Sequence, residues 1–133
     1  MTLYLLDTCT VSDFFRGIGD SGKRLKVISP TQVGLSAITQ MEVLYGFALN
    51  PAAKRRFEDA FLNMCAVTRI FPFDEECAEA AANIRAELKT AGKPIGSWDL
   101  LIGATALVQG CVLVTSNLLE FERIDGLKLE NWR

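Results

Sequence analysis

The chain has 133 residues, half of them hydrophobic and 23% charged, with a formal net charge of −2. That balance fits one globular domain over residues 1–133 with a sizeable core, excludes a disordered chain, and contains no apolar run near the ~18 residues a membrane span needs. Four cysteines (Cys9, Cys65, Cys77, Cys111) fall at no zinc-like spacing, and the lack of any histidine argues against a Cys/His zinc site and removes every His-based triad.

The first apolar run, "LYLL" (3–6), is of strand length and ends at Asp7 without a basic flank, so no signal peptide is expected and the protein reads as cytoplasmic. Residues 8–16 read as a helix with Val11, Phe14 and Phe15 inward, and "IGDSGK" (18–23) as a turn, followed by a basic segment through Lys26 and a break at Pro30. "VGLSA" (33–37) is a second strand. "TQMEVLYGFAL" (39–49) has helical spacing that puts Met41, Leu44, Tyr45 and Ala48 on its apolar side. Asn50-Pro51 opens another helix with Phe57, Ala60, Phe61 and Met64 on one face, and "VTRIFPF" (67–73) is strand-like until Pro72. Residues 74–91 form an amphipathic helix with Cys77, Ala80, Ala81, Ile84 and Leu88 inward. A helix apolar on nearly every side follows, capped by Ser97 and ending at Gly110; then come strand "CVLVT" (111–115) and an edge strand within "LKLENW" (127–132). Strands separated by helices predict a three-layer α/β domain with a mostly parallel central sheet flanked by helices.

In such sheets, ligands bind outside the carboxyl ends of the strands. Asp7 ends the first strand, Glu42 lies in the first turns after the second, and Thr115, Ser116 and Asn117 follow "CVLV", with Glu120 a turn later. Asp99 opens the helix that feeds that same strand. Each has a local reading as well: Asp7 as a turn and capping residue, Thr39-Gln-Met-Glu42 as a capping box, Asn117 as a helix start, and Asp99 as a first-turn acid facing the helix dipole. Convergence would carry a different chemistry. Two unit charges 4 Å apart repel by about 4 kcal/mol at an effective dielectric near 20, so three such carboxylates hold protons or collect a cation. An all-oxygen donor set suits Mg²⁺ or Mn²⁺, and phosphodiester hydrolysis is the matching reaction.

The stretches "LYLLDTCTVS" (3–12), "LSAITQMEVLYGFAL" (35–49), "FPFDEECAEAAANIRAELKTAGKPIGSWDLLIGATAL" (71–107) and "VLVTSNLLEFERIDGLKLENW" (112–132) run in one order over most of the chain. In these it resembles the PIN-domain ribonucleases, and most closely the VapC-type toxins of bacterial toxin–antitoxin pairs. The resemblance implies a PIN-like fold and an endoribonuclease whose acids Asp7, Glu42 and Asp99 hold one or two Mg²⁺ or Mn²⁺ ions, leaving a 5′-phosphate and a 3′-hydroxyl. It implies that Thr115 orients the acid cluster, with Thr8, Asn117 and Glu120 in support. It also implies a structured RNA substrate such as transfer RNA, a small cognate antitoxin, a homodimer, and contact with promoter DNA only through the antitoxin complex.

The sequence departs from that pattern twice. Cys9 stands where many members have Asn, and a thiol cannot reproduce an amide's hydrogen bonds; Asn117 stands where many have a fourth acid. A degenerate domain that only binds RNA or protein is therefore a second reading. A phosphoaspartyl phosphatase is a third, weakened because Cys9 occupies the place of its second Asp. For RNA contact the candidates are Arg16, the Lys23, Arg24 and Lys26 cluster, and Lys93. For an apolar antitoxin groove they are Phe14, Phe15, Tyr45 and Phe47.

Overall fold

The computed structural model describes all residues, Met1–Arg133. Five strands, β1 (Tyr4–Leu6), β2 (Val33–Ser36), β3 (Arg69–Phe71), β4 (Val112–Val114) and β5 (Lys128–Glu130), form one sheet in the order β3-β2-β1-β4-β5. Every pairing is parallel, so the expected mostly parallel sheet is wholly parallel, and β5 is indeed an edge. Parallel neighbours need crossovers, and the helices supply them: α1 (Thr8–Arg16), α2 (Ser21–Val27), α3 (Ala37–Leu49), α4 (Pro51–Val67), α5 (Glu75–Thr90), α6 (Ser97–Gln109) and the short α7 (Leu118–Phe121).

The strands are apolar on both faces because both are covered. Leu5 and Leu113 point into a core with Ile84, Leu88, Ile102 and Phe121, on the side of α5 and α6. Leu6, Leu35 and Val114 point into the other, with Val11, Phe47, Phe61 and Met64 of α1, α3 and α4. Alternate residues of one strand thus serve opposite layers. At the centre of β2 the backbone is Gly34, where a Cβ would stand 2.5 Å from the Phe71 ring on β3.

The sequence-based expectations need correction in two elements. The turn expected at residues 18–23 includes the start of helix α2, and a single 3₁₀ turn, Pro30–Gln32, follows it. Helix α3 is present, but its inward stripe is Thr39, Val43 and Phe47, not Met41, Leu44, Tyr45 and Ala48, which are exposed. Its N-cap fixes that phase: Ser36 Oγ accepts from the N–H groups of Ile38 and Thr39 at 2.9 and 3.2 Å, so the helix starts directly off β2. The sheet order reverses beside β1. The chain steps outward from β1 through β2 to β3 and then returns to β4 on the other flank, which leaves a crevice at the carboxyl ends of β1 and β4.

Candidate active site

Asp7 stands in that crevice. Its backbone N–H donates to the Val114 carbonyl at 3.1 Å, and the Thr10 hydroxyl donates to the same carbonyl at 2.8 Å, stitching β1 and α1 to β4. The side chain caps α1, with Oδ1 accepting from the Thr10 N–H at 2.8 Å, so the capping role read from the sequence is real. It does not account for everything. Asp7 is only 2% exposed, and burial pushes its carboxyl above the ordinary range, against the pull of hydrogen bonding from Thr115 and Thr10. No basic side chain is among the groups that perturb it.

Glu42 is half-buried in the second turn of α3. The capping box expected at Thr39 and Glu42 is absent, since Ser36 is the cap; Glu42 is free to face outward across to α1. There Thr8 donates its hydroxyl to Glu42 Oε1 at 2.7 Å, with Thr39 Oγ1 as a longer contact at 3.3 Å. Thr8 therefore supports the site by holding a carboxylate.

Asp99 is the third residue of α6. The N-cap is Gly96, not Ser97, and no side chain caps that end. Glu120 reaches over from α7 and accepts the Gly96 N–H with Oε1 and the Asn117 side-chain amide with Oε2 at 2.7 Å. These hydrogen bonds, that from Gly96 foremost, hold Glu120 below the usual carboxylate range. Asp99 moves the opposite way. Burial, then the charges of Glu120, Asp7 and Glu42, raise it to about 6, and its side-chain contact with Glu120 pushes in the same direction. Thr115 is fully buried and accepts the Asn117 N–H at 2.9 Å, which fixes the loop that carries Asn117 and Glu120.

The structure thus brings together Asp7, Glu42, Asp99 and Glu120, with Thr8, Thr115 and Asn117 arranged around them. Cys9 is exposed at their edge, and burial together with Asp7, Asp99, Asp13 and Glu42 pushes its thiol up to about 11. Asp13 and Arg133 escaped the sequence reading, because residues so far apart in the chain carry no local signal of pairing. Arg133 donates to both oxygens of Asp13 at 3.0 and 3.2 Å, pinning the last residues against α1.

The cations are less gathered than expected. Arg16 lines a groove beside Thr8 and Glu42. Lys23, Arg24 and Lys26 are exposed on α2, but Arg24 lies over the Trp132 ring (5.8 Å to its centroid) and 3.9 Å from Glu130. Lys93 lines a separate depression with Arg123. Of the aromatic residues expected in a partner groove, Phe14 and Phe15 are half-buried and Tyr45 is exposed. Phe47 is packed inside at 7% exposure, edge-on to Phe61, so it offers no exposed anchor.

The donor set fits a hard divalent cation in chemistry and charge: four carboxylates, no imidazole and a protonated thiol. As they stand, no three of the chain's Cys, Asp and Glu side chains close on a single point at ligand distance. Glu42 is bonded instead to Thr8, and Glu120 to Gly96 and Asn117.

The description "PIN domain" matches residues 4–127. The chain belongs to the PIN-domain family. Within that family it is of the VapC ribonuclease type: the tRNA(fMet)-specific endonuclease VapC of Salmonella typhimurium is 32% identical over 134 residues, spanning 99% of both chains. The crystal structure of DNA-bound VapBC from Salmonella typhimurium superposes with a TM-score of 0.90 at 31% identity over 100% of both chains. That of VapBC2 from Rickettsia felis, bound to a promoter DNA fragment, gives 0.89 at 27% identity over 99% of this chain and 100% of the other. The three-layer PIN fold, toxin–antitoxin membership and ribonuclease class expected from the sequence all stand. No helix is long and apolar enough to cross a membrane.

Proposed function

We propose that this PIN domain is a Mg²⁺- or Mn²⁺-dependent endoribonuclease that cuts structured RNA, with transfer RNA as the first substrate to test, and that a cognate antitoxin silences it. One observation carries the reading. Asp7, Glu42, Asp99 and Glu120 come from distant segments to the carboxyl ends of β1 and β4, where burial raises the proton affinity of Asp7 and Asp99 and the charges of the other three add to it at Asp99. Asp7, Glu42 and Asp99 would hold the cation, with Glu120 beside Asp99 as a fourth acid. When bound, such an ion supplies Lewis acidity, lowering the pKa of water and offsetting charge on phosphate oxygens.

The chain's own residues have separable parts in this. Asp7 is held rigidly by its cap to α1 and its strand contact to β4, which fixes the geometry a ligand must keep. Thr8 holds Glu42 at the rim. Glu120, clamped by Gly96 and Asn117, keeps the entrance of α6 and therefore Asp99 in place. Asp99, protonated below about 6, must give up its proton before the cluster presents its full charge.

The antitoxin reading has a second surface in support. An apolar groove of about 250 Å³ lies between α2 and α4, lined by Phe14, Leu25, Ile28, Val33, Met64 and Val67, and an amphipathic helix fits such a lining. A homodimer would use the exposed apolar side of α3, where Met41, Leu44, Tyr45 and Leu49 stand in solvent. Promoter DNA would then be met only through the antitoxin complex.

Incubating the purified chain with total RNA plus Mg²⁺ or Mn²⁺, with excess EDTA, and beside Asp99→Asn tests the proposal. Discrete fragments that require both metal and Asp99 support it. A folded protein with no cleavage and no stabilisation by either metal would favour the degenerate binding domain.

A further inference from the structure

Beside the acid cluster, α1, α3 and α4 enclose a groove of about 410 Å³. Its near end is Thr8 and Glu42, so it is continuous with the candidate active site. Its wall is aromatic: Phe15 and Phe57 are stacked, with centroids 5.5 Å apart and planes 15° from parallel, and Phe47 lies behind them. Its rim is polar and carries spare donors. Arg16 makes no ion pair, and Asn50 uses its side-chain oxygen to cap α4 at 3.1 Å while its amide nitrogen meets no protein acceptor.

The groove is open at Gly46. This residue lies inside α3, where glycine is disfavoured, and it borders the groove. A Cβ there would meet no atom within 4 Å, so no packing contact requires its absence. A φ below zero removes the other usual reason for glycine. What a side chain at 46 would take away is room in the groove.

We propose that this groove is a base-recognition subsite that receives one unstacked nucleotide of the RNA next to the cleaved bond. The inference rests on the ribonuclease reading above. A base has apolar surface to set against the aromatic wall that Phe15 and Phe57 form, an edge for the Asn50 amide, and a flanking phosphate for Arg16; no purely apolar ligand uses all three. Continuity with Glu42 places the base within a nucleotide of the acids.

The test uses the full chain carrying Asp99→Asn, so that RNA is bound and not cut, and four fluorescein-labelled single-stranded hexamers (A, C, G and U). The expected result is tighter binding of one homopolymer. Gly46→Trp, which fills the groove, should abolish that preference and weaken binding about tenfold, roughly 1.4 kcal/mol. Asn50→Asp is the second variant. Asp preserves the α4 cap but removes the amide donor, so the preference should fall with Tm maintained. In the cleaving wild-type background, both variants should raise KM for bulk tRNA more than they lower kcat. Unchanged hexamer preference and unchanged KM in both variants would overturn the subsite while leaving the nuclease intact. RNA cleavage unchanged but loss of silencing by the antitoxin would assign the groove to the protein partner and also overturn it. A wild-type chain that cuts no RNA with metal present would instead bring down the ribonuclease reading itself.

Discussion

Asp99 contributes a distinct pH response to the metal-free protein. An unfolded aspartate titrates near ~3.9, whereas burial and then Glu120, Asp7 and Glu42 hold the folded carboxyl at about 6. Between these values the folded chain binds more protons than the unfolded one. Asp99 therefore favours the fold at low pH, and that contribution is lost as pH rises through about 6. At neutral pH in EDTA, Asp99→Asn should be the more stable protein by about 1 kcal/mol, discounted for partial exposure, or roughly 3–5 °C in Tm. At pH 4.5 the two melting curves should draw together, since Asp99 is then protonated; a gap that widens on acidification would contradict the assignment. Metal affinity should run the other way and weaken as pH falls below about 6, because a bound ion must displace that proton. Much at this scale was legible in the sequence. Asp7, Glu42 and Asp99 each follow a strand end or open a helix, so the parallel sheet dictated where they meet. Glu120 was harder to read, because its place depends on a hydrogen bond that it accepts from the Gly96 N–H at the entrance of another helix.

At the level of elements, the apolar pattern located most helices and strands but not always their orientation. Both sides of α3 carry hydrophobic residues, so periodicity alone could not choose between the stripe at 41, 44, 45 and 48 and the stripe at 39, 43 and 47. The Ser36 cap on β2 makes that choice, and it depends on where the strand ends. The helix α2 was missed because Gly19, Gly22 and neighbouring polar residues carry turn chemistry, while the helix itself is only seven residues long. Two glycines show how packing gives one residue type opposite meanings. At Gly34 an added Cβ would meet the Phe71 ring at 2.5 Å, and the ring is itself buried against β2. Gly34→Ala should therefore cost about 1–3 kcal/mol through overpacking. Gly46→Ala meets nothing and should stabilise by roughly 0.5–1 kcal/mol through helix propensity. Equilibrium urea unfolding of the pair checks both signs, and equal shifts would mean that the close approach in β2 does not govern Gly34.

Across the whole molecule, the fold spends its order of strands on bringing remote segments to one crevice. Asp7 caps α1, while residues 42, 99 and 120 lie on α3, α6 and α7, helices whose apolar sides reach the two cores on the two faces of the sheet. The charges of Glu120, Asp7 and Glu42 all act on Asp99 across the crevice, a repulsion that the metal-free molecule leaves uncompensated. Beside the cluster, the Arg133 pair with buried Asp13 restrains α1, and Arg133→Ala should lower Tm by leaving Asp13 without its partner. A divalent cation changes this balance in a way no single helix would. At tenfold its dissociation constant it should stabilise the fold by about 1.4 kcal/mol, and Asp99→Asn should abolish that gain. Hydrogen exchange provides the sharper measurement. Mn²⁺ should slow exchange together at the first turns of α1 and α6, around Glu42 and in the Asn117–Glu120 loop, because one ion couples all four. Protection confined to one of these segments would mean that the acids bind cations separately and form no shared centre.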